Sequence, residues 1–310
     1  MASQRIPPNE ARSNAAQPHS MLSARAFGIA ARCADWISSR EGLMRVAIAL
    51  GAGVLAALAQ APWHIVPLFF VGFALLVWQI DAIGPGRRRL VPGAIVGWAF
   101  GLGYFAVGLN WIGNAFLVDA KTFGAMMPFA IAGLCAGLAL FTAAAAALAR
   151  CFWSPGANRI IVLTLSWSGT EWVRGHIFTG FPWNLAGYIW GDNLAMLQPI
   201  AAIGIYGLGF ITILAASSSA LIADFILGRA NKSIILWPAA GTLILVAAFG
   251  FGSWRLTAPP APMISRMKLR IVQASVPQRD KLDGANAPDI FRKHMELSRR
   301  PGLASITHII

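Results

Sequence analysis

The chain has 310 residues, 57% hydrophobic and 12% charged, with a formal net charge of +13 and a mean hydropathy of +0.62. A soluble domain carries roughly twice that share of charge, so composition excludes an ordinary soluble enzyme and indicates a polytopic membrane protein. The positive surplus does not mark a nucleic-acid binder, because the Lys and Arg residues stand at the ends of apolar runs and form no single basic face.

Residues 1–20 are polar and Pro-containing and read as a disordered tail. In residues 21–40 the positions Leu22, Ala26, Ile29, Cys33, Trp36 and Ile37 fall on one helical stripe, with Arg25, Arg32 and Asp35 to the side. This pattern fits either an interfacial helix or a frayed cytoplasmic tail. Seven apolar segments follow, at about 44–61, 65–80, 91–109, 123–148, 160–173, 203–227 and 234–252. The second and fifth are short for a hydrocarbon core of about 30 Å.

Basic residues fix an expected orientation. With the N-terminus inside, the inner set is Arg5, Arg12, Arg25, Arg32, Arg40, Arg45, Arg87, Arg88, Arg89, Arg150, Arg159, Arg229 and Lys232. The short outer loops hold Lys121 and Arg174. Arginine clusters resist translocation, so the rich side is cytoplasmic, and residues from about 254 onward emerge on the opposite side. Gly97, Gly101, Gly103, Gly133, Gly137, Gly204, Gly207 and Gly209 read as packing positions, since small residues let helix backbones approach in lipid.

Polar residues are scarce in the segments, which makes Glu171 stand out. Arg174 lies three positions later, so the two share a helix face at the end of the fifth segment and are suited to pairing. Phe178-Thr179-Gly180-Phe181-Pro182-Trp183-Asn184-Leu185-Ala186-Gly187-Tyr188 follows. Its aromatics suit a headgroup-level belt. Its Pro and Gly residues suit a compact loop that packs on another domain or borders a lipid access route. Residues 194–202 read as an interfacial helix broken at Pro199.

After the seventh segment the pattern changes. Residues 268–277 read as a strand ending in a turn. Asp289 is placed to cap a helix running to about Arg299, with Ile290, Phe291, His294, Met295 and Leu297 inward. Pro301-Gly302 breaks it, and 306–310 open a second strand, which is the start of a layered α/β unit too small to bury a sizeable core. Cys33, Cys135 and Cys151 form no CxxC pair, and no structural disulfide or metal site is expected.

Four stretches together resemble the bacterial apolipoprotein N-acyltransferase family. They are Glu171-Trp172-Val173-Arg174-Gly175, Phe178-Thr179-Gly180-Phe181-Pro182-Trp183 with Gly187-Tyr188, Ile205-Tyr206-Gly207-Leu208-Gly209-Phe210, and Ile271-Val272-Gln273-Ala274-Ser275-Val276-Pro277-Gln278. The resemblance runs from about residue 45 to 310. It implies an α-helical polytopic membrane bundle of about seven spans, followed by the truncated start of an α/β nitrilase-like (carbon–nitrogen hydrolase) domain. The expected division is a tail at 1–43, a bundle at 44–253 and a periplasmic segment at 254–310.

The implied reaction moves a fatty acyl chain from a phospholipid to the N-terminal amine of a diacylglyceryl-lipoprotein, through a cysteine thioester assisted by a glutamate and a lysine. No residue here matches those three, so the chain as given is expected to be inactive. The resemblance puts Glu171, Arg174, Phe181, Pro182, Trp183 and Tyr188 at a lipid access or domain-contact loop. It implies a phospholipid donor, a lipoprotein acceptor, the inner-membrane bilayer, no nucleic acid, no cofactor and a monomer. A non-catalytic lipid-binding scaffold and, more remotely, a secondary transporter remain open as alternatives.

Overall fold

The structure, a computed structural model, describes residues 32–83, 90–259, 263–264 and 266–310. The tail expected over 1–20, the first part of the interfacial stripe and the Arg87–Arg89 cluster lie outside the described residues. Seven long helices succeed one another: α1 (Gly42–Ala57), α2 (Pro67–Asp81), α3 (Leu90–Gly108), α4 (Met127–Cys151), α5 (Asn158–His176), α6 (Ile200–Ser218) and α7 (Leu236–Leu256). Prolines near the first positions of α2 and α4 suit helix starts, where a missing N–H costs nothing. Asp119 caps the short helix before α4, accepting from Thr122 N at 3.3 Å, and Asn193 caps Leu194–Leu197, accepting from Met196 N at 3.1 Å.

Among the described residues, four helical stretches are long and apolar enough to cross a membrane: Leu90–Gly108, Ala120–Cys151, Ile200–Ile226 and Lys232–Leu256. The expectation of seven spans is thus met by four on length and composition. α1 and α2, with 16 and 15 residues, reach only about 24 and 22 Å at 1.5 Å per residue. α5 is longer, but Arg159, Thr164, Ser168, Thr170 and Glu171 lower its apolarity.

Small residues bring α3 against its neighbours. A Cβ added at Gly97 would stand 2.6 Å from Ala146 Cβ, and Thr142 Oγ1 donates to Gly97 O at 2.9 Å. A Cβ at Gly101 would lie 3.1 Å from Ala139 Cα, and one at Gly103 3.1 Å from Val54 N. Gly133 and Gly137 meet nothing within 4 Å among the described residues, so their expected packing role is not fulfilled. Phe73 is the centre of an aromatic core, 4.9 Å from Trp167 and 5.6 Å from Phe100 in edge-on arrangements.

The connections gather at two ends. At one, Gln60, Tyr104, Trp111 and the 178–191 loop meet. At the other, Arg159 of α5 pairs with Asp81 of α2 (3.1 Å) and with Asp224 of the Leu221–Ile226 helix. Residues 32–38 are helical beside this second end, with Ala34 and Ile37 buried, and Gln79 Nε2 donates to Ile37 O at 3.0 Å.

Beyond α7, the strand expected over 268–277 shrinks to β1 (Leu269–Arg270), paired in parallel with β2 (His308–Ile309). Two short strands with no third neighbour among the described residues cannot hold a longer ladder, and no nitrilase-like α/β domain is evident there. The intervening helix, α8 (Ala287–Ser298), begins earlier than expected. Asn286 takes the cap position, and Asp289 lies in the first turn, 3.1 Å from Arg292. Phe291, expected inward, is 67% exposed. His294 and His308 are exposed, with Nδ1 close to Ile290 O and Thr307 Oγ1 respectively.

Candidate functional site

The helical period places Glu171 and Arg174 on one face of α5, and both are buried, at 7% and 3% exposure. The chain then reverses through Gly180, whose φ of +78° is open to glycine, and Phe181 N donates back to Arg174 O at 2.9 Å. The Arg174 guanidinium donates through Nη1 to Phe181 O (2.9 Å) and Trp183 O (2.6 Å) and lies over the Phe105 ring at 5.1 Å. Glu171 Oε1 accepts from Ala186 N at 3.2 Å and Trp167 Nε1 at 3.3 Å.

The two charges are 4.0 Å apart, at the outer limit of an ion pair. Their main work is therefore on the loop: the cation binds its carbonyls and the anion binds its amide. A charge at this depth is costly unless each lone pair and proton is matched, and the loop backbone supplies the match.

Three further contacts complete the clasp. Gln60 Nε2 donates to Tyr104 OH (2.5 Å) and Leu185 O (3.1 Å), and Tyr104 OH donates to Asn184 O (3.1 Å). The carbonyls of Phe181, Trp183, Asn184 and Leu185 and the amide of Ala186 are thus all bonded to buried side chains. On the far side the loop lies on α6. A Cβ at Gly187 would stand 2.8 Å from Ile205 O and 3.1 Å from Gly209 N, and Trp190 Nε1 donates to Thr212 Oγ1 at 2.9 Å.

Two of the loop's rings face outward. Trp183 is 48% exposed and stands edge-on to Trp111 at 6.3 Å, and Phe178 is almost fully exposed. Phe181, Pro182 and Tyr188 are half-buried. All six residues singled out in the sequence therefore belong to one structural unit. Sequence reading missed Gln60, Tyr104, Phe105 and Trp167, and it placed Asn184 in the loop without giving it a role. Two had a visible signal: Gln60 is a lone amide in an apolar run, and Tyr104 is one of three tyrosines in the chain.

A cleft of about 680 Å³ opens beside the loop, lined by Gln60, His64, Trp111, Trp183, Asn184 and Tyr188 among others. The cysteines take no part in the clasp: Cys135 is buried in α4, and Cys33 and Cys151 are exposed. No group of three His, Cys, Asp or Glu suited to hold a metal occurs among the described residues. The unit's chemistry is that of binding and positioning: a hydrogen-bonded loop presenting aromatic faces beside a cleft lined, among the described residues, by no Lys, Arg, Asp or Glu.

The family model for the apolipoprotein N-acyltransferase N-terminal domain matches residues 52–218, which include the whole clasp. An apolipoprotein N-acyltransferase of Rhodopseudomonas palustris is 42% identical over 274 residues, covering 88% of this chain and 51% of that protein. Proteins of the same name from Bradyrhizobium diazoefficiens and Rhizobium meliloti are 41% and 40% identical, with 84% and 87% of this chain covered and 48% and 51% of theirs. The chain spans about half the length of the curated relatives it matches.

Proposed function

Because this chain belongs to the apolipoprotein N-acyltransferase family through that family's N-terminal domain, we propose that it forms the membrane part of a phospholipid:apolipoprotein N-acyltransferase. In the proposed reaction a cysteine thiolate attacks a phospholipid ester, and the lysophospholipid leaves with a proton. The lipoprotein's amine then attacks the thioester, and the thiol is restored. The part we assign to this chain is to seat the lipid beside the second domain. The observation that carries this assignment is the Glu171–Arg174 clasp, which holds the Phe181–Tyr188 loop rigid while leaving Trp183 outward.

All seven long helices are read as spans of a bacterial inner membrane, with residues 1–43 and the Arg159 end cytoplasmic. The gathering of alternate connections at opposite ends supports this reading, as does the arginine asymmetry. The short α1 and α2 then require tilt, local thinning or snorkelling at their ends. Residues 254–310 are read as periplasmic and as the start of a nitrilase-like domain, with β1, α8 and β2 as its first elements. The working unit is read as a monomer.

A chimera tests the proposal. Joined to the complementary half of the Rhodopseudomonas palustris relative, the chain should support acyl transfer from a labelled phospholipid. Trp183→Ala should lower transfer about tenfold, the effect of losing a ring contact worth over 1 kcal/mol, with membrane insertion nearly unchanged. Equal loss of both would reduce Trp183 to a belt residue. An inserted, folded chimera without any transfer would overturn the assignment.

A further inference from the structure

We propose that the cleft beside the 178–191 loop seats an ester carbonyl of an acylglycerol lipid, with the Asn184 carboxamide as its main donor and the His64 imidazole as a second. The proposal deepens the phospholipid reading above and rests on it. Asn184 is 8% exposed, and its Nδ2 has no hydrogen-bond partner among the described residues. His64 Nδ1, lining the same cleft, is also buried without one. Asn184, His64 and Gly108, against which Asn184 Nδ2 packs, all line the cleft, and a buried N–H left without an acceptor calls for a partner from outside the fold.

The backbone, not the side chains, sets this aim. Asn184 and His64 both adopt positive φ, +53° and +52°. The first is fixed by Tyr104 OH donating to its carbonyl at 3.1 Å. The second is fixed by its own N–H donating to Gln60 O at 3.1 Å. Asn and His tolerate this conformation better than most residues. Gly108 faces Asn184, and a Cβ there would overlap the carboxamide, so glycine makes the room that the amide occupies.

The chemistry selects the ligand. Two donors call for an oxygen acceptor, His64 contributing when Nδ1 carries the proton. Among the described residues no Lys, Arg, Asp or Glu lines the cleft, and the nearby Arg174 is engaged by Phe181 O and Trp183 O. A phosphate or carboxylate would enter without a countercharge, which burial penalises, whereas a neutral carbonyl would not. The exposed Trp111 and Trp183 at the rim are residues of the membrane–water boundary. Glycerol esters lie at that same depth, between headgroup and acyl chain.

The 310-residue chain, purified in a maltoside detergent that has no ester, is titrated calorimetrically with dioctanoylphosphatidylglycerol and with its dioctyl ether counterpart. The ester lipid should bind about tenfold more tightly, the worth of one net hydrogen bond. Asn184→Asp keeps the volume and the backbone preference but replaces donor by acceptor, and should erase the ester preference. A dioctanoylglyceryl-cysteinyl dipeptide distinguishes the sources. Tighter, Asn184-dependent binding of the dipeptide assigns the cleft to the lipoprotein acceptor, and the reverse assigns it to the phospholipid donor.

Independently of any variant, isotope-edited infrared of a carbonyl-labelled phospholipid should show its ester band lowered on binding to the wild-type chain. Equal affinity for ester and ether, an unshifted band, or ester preference surviving in folded Asn184→Asp protein would overturn the carbonyl seat alone. Absence of any lipid binding would overturn the phospholipid reading as well.

Discussion

Replacing Arg174 by Met should release the loop. The side chain makes two charge-assisted hydrogen bonds, to Phe181 O at 2.9 Å and Trp183 O at 2.6 Å, each worth about 1.5–3 kcal/mol when the donor is charged. Its removal also leaves Glu171 buried with no cation beside it, and breaking a buried pair costs about 3–5 kcal/mol. These losses overlap, so a combined destabilisation of about 3–5 kcal/mol is expected. A loss of about 3 kcal/mol multiplies the open population of the loop by roughly 150.

Chymotrypsin reads that population. Phe178 is exposed and cleavable in the folded state, whereas the Trp183–Asn184 bond is held, with the Trp183 carbonyl bonded to Arg174 and Asn184 buried. Cleavage after Trp183, followed by mass spectrometry, should accelerate roughly a hundredfold in Arg174→Met. Arg174→Lys should fall between, because an ammonium cannot fork to two carbonyls as a guanidinium does. Adding Glu171→Gln to Arg174→Met should recover part of the loss, since it removes the stranded charge. An unchanged Trp183 cleavage rate in Arg174→Met would refute the clasp.

Gly187→Ala should destabilise the chain by about 1–3 kcal/mol, as the new Cβ meets backbone atoms of Ile205 and Gly209 that cannot step aside. Gly133→Ala, which meets nothing within 4 Å among the described residues, should not lower the thermal midpoint, since alanine suits a helix interior better than glycine. Arg159→Met strands Asp81 and Asp224 and should cost about 3–5 kcal/mol. Arg229→Ala breaks only a half-exposed pair with Asp35 and should cost less than about 1 kcal/mol. A reversed order of these two in denaturant titrations would contradict the burial argument. A phosphatase reporter fused after Trp254 should be active outside the cytoplasm, and a cytoplasmic location would overturn the orientation.

The apolar runs, the arginine asymmetry and the Phe178–Tyr188 composition are properties of consecutive residues, so the bundle and the loop were legible without coordinates. The Glu171 and Arg174 face was legible too, because an i,i+3 relation follows from the helical period alone. Their further partners were not: the two charges pair at 4.0 Å as expected, and each also hydrogen-bonds the loop backbone. The span count also shifted: among the described residues four stretches are long and apolar enough to cross a membrane, since α1 and α2 are short and α5 carries polar residues. The strand expected over 268–277 kept only Leu269–Arg270, because a strand's length depends on the neighbour it finds.

The contacts that define the site join segments far apart in the chain. Gln60 and Leu185 are 125 positions apart, and Tyr104 and Asn184 are 80 apart. No local pattern encodes such a meeting. It arises when Gly97, Gly101 and Gly187 let backbones approach closely enough for side chains on different helices to reach one loop. Sequence alone determined that this chain lies in a membrane and which loop carries its distinctive residues. Tertiary structure decided which buried donors remain unmatched beside that loop, because hydrogen-bond satisfaction is a property of the packed whole.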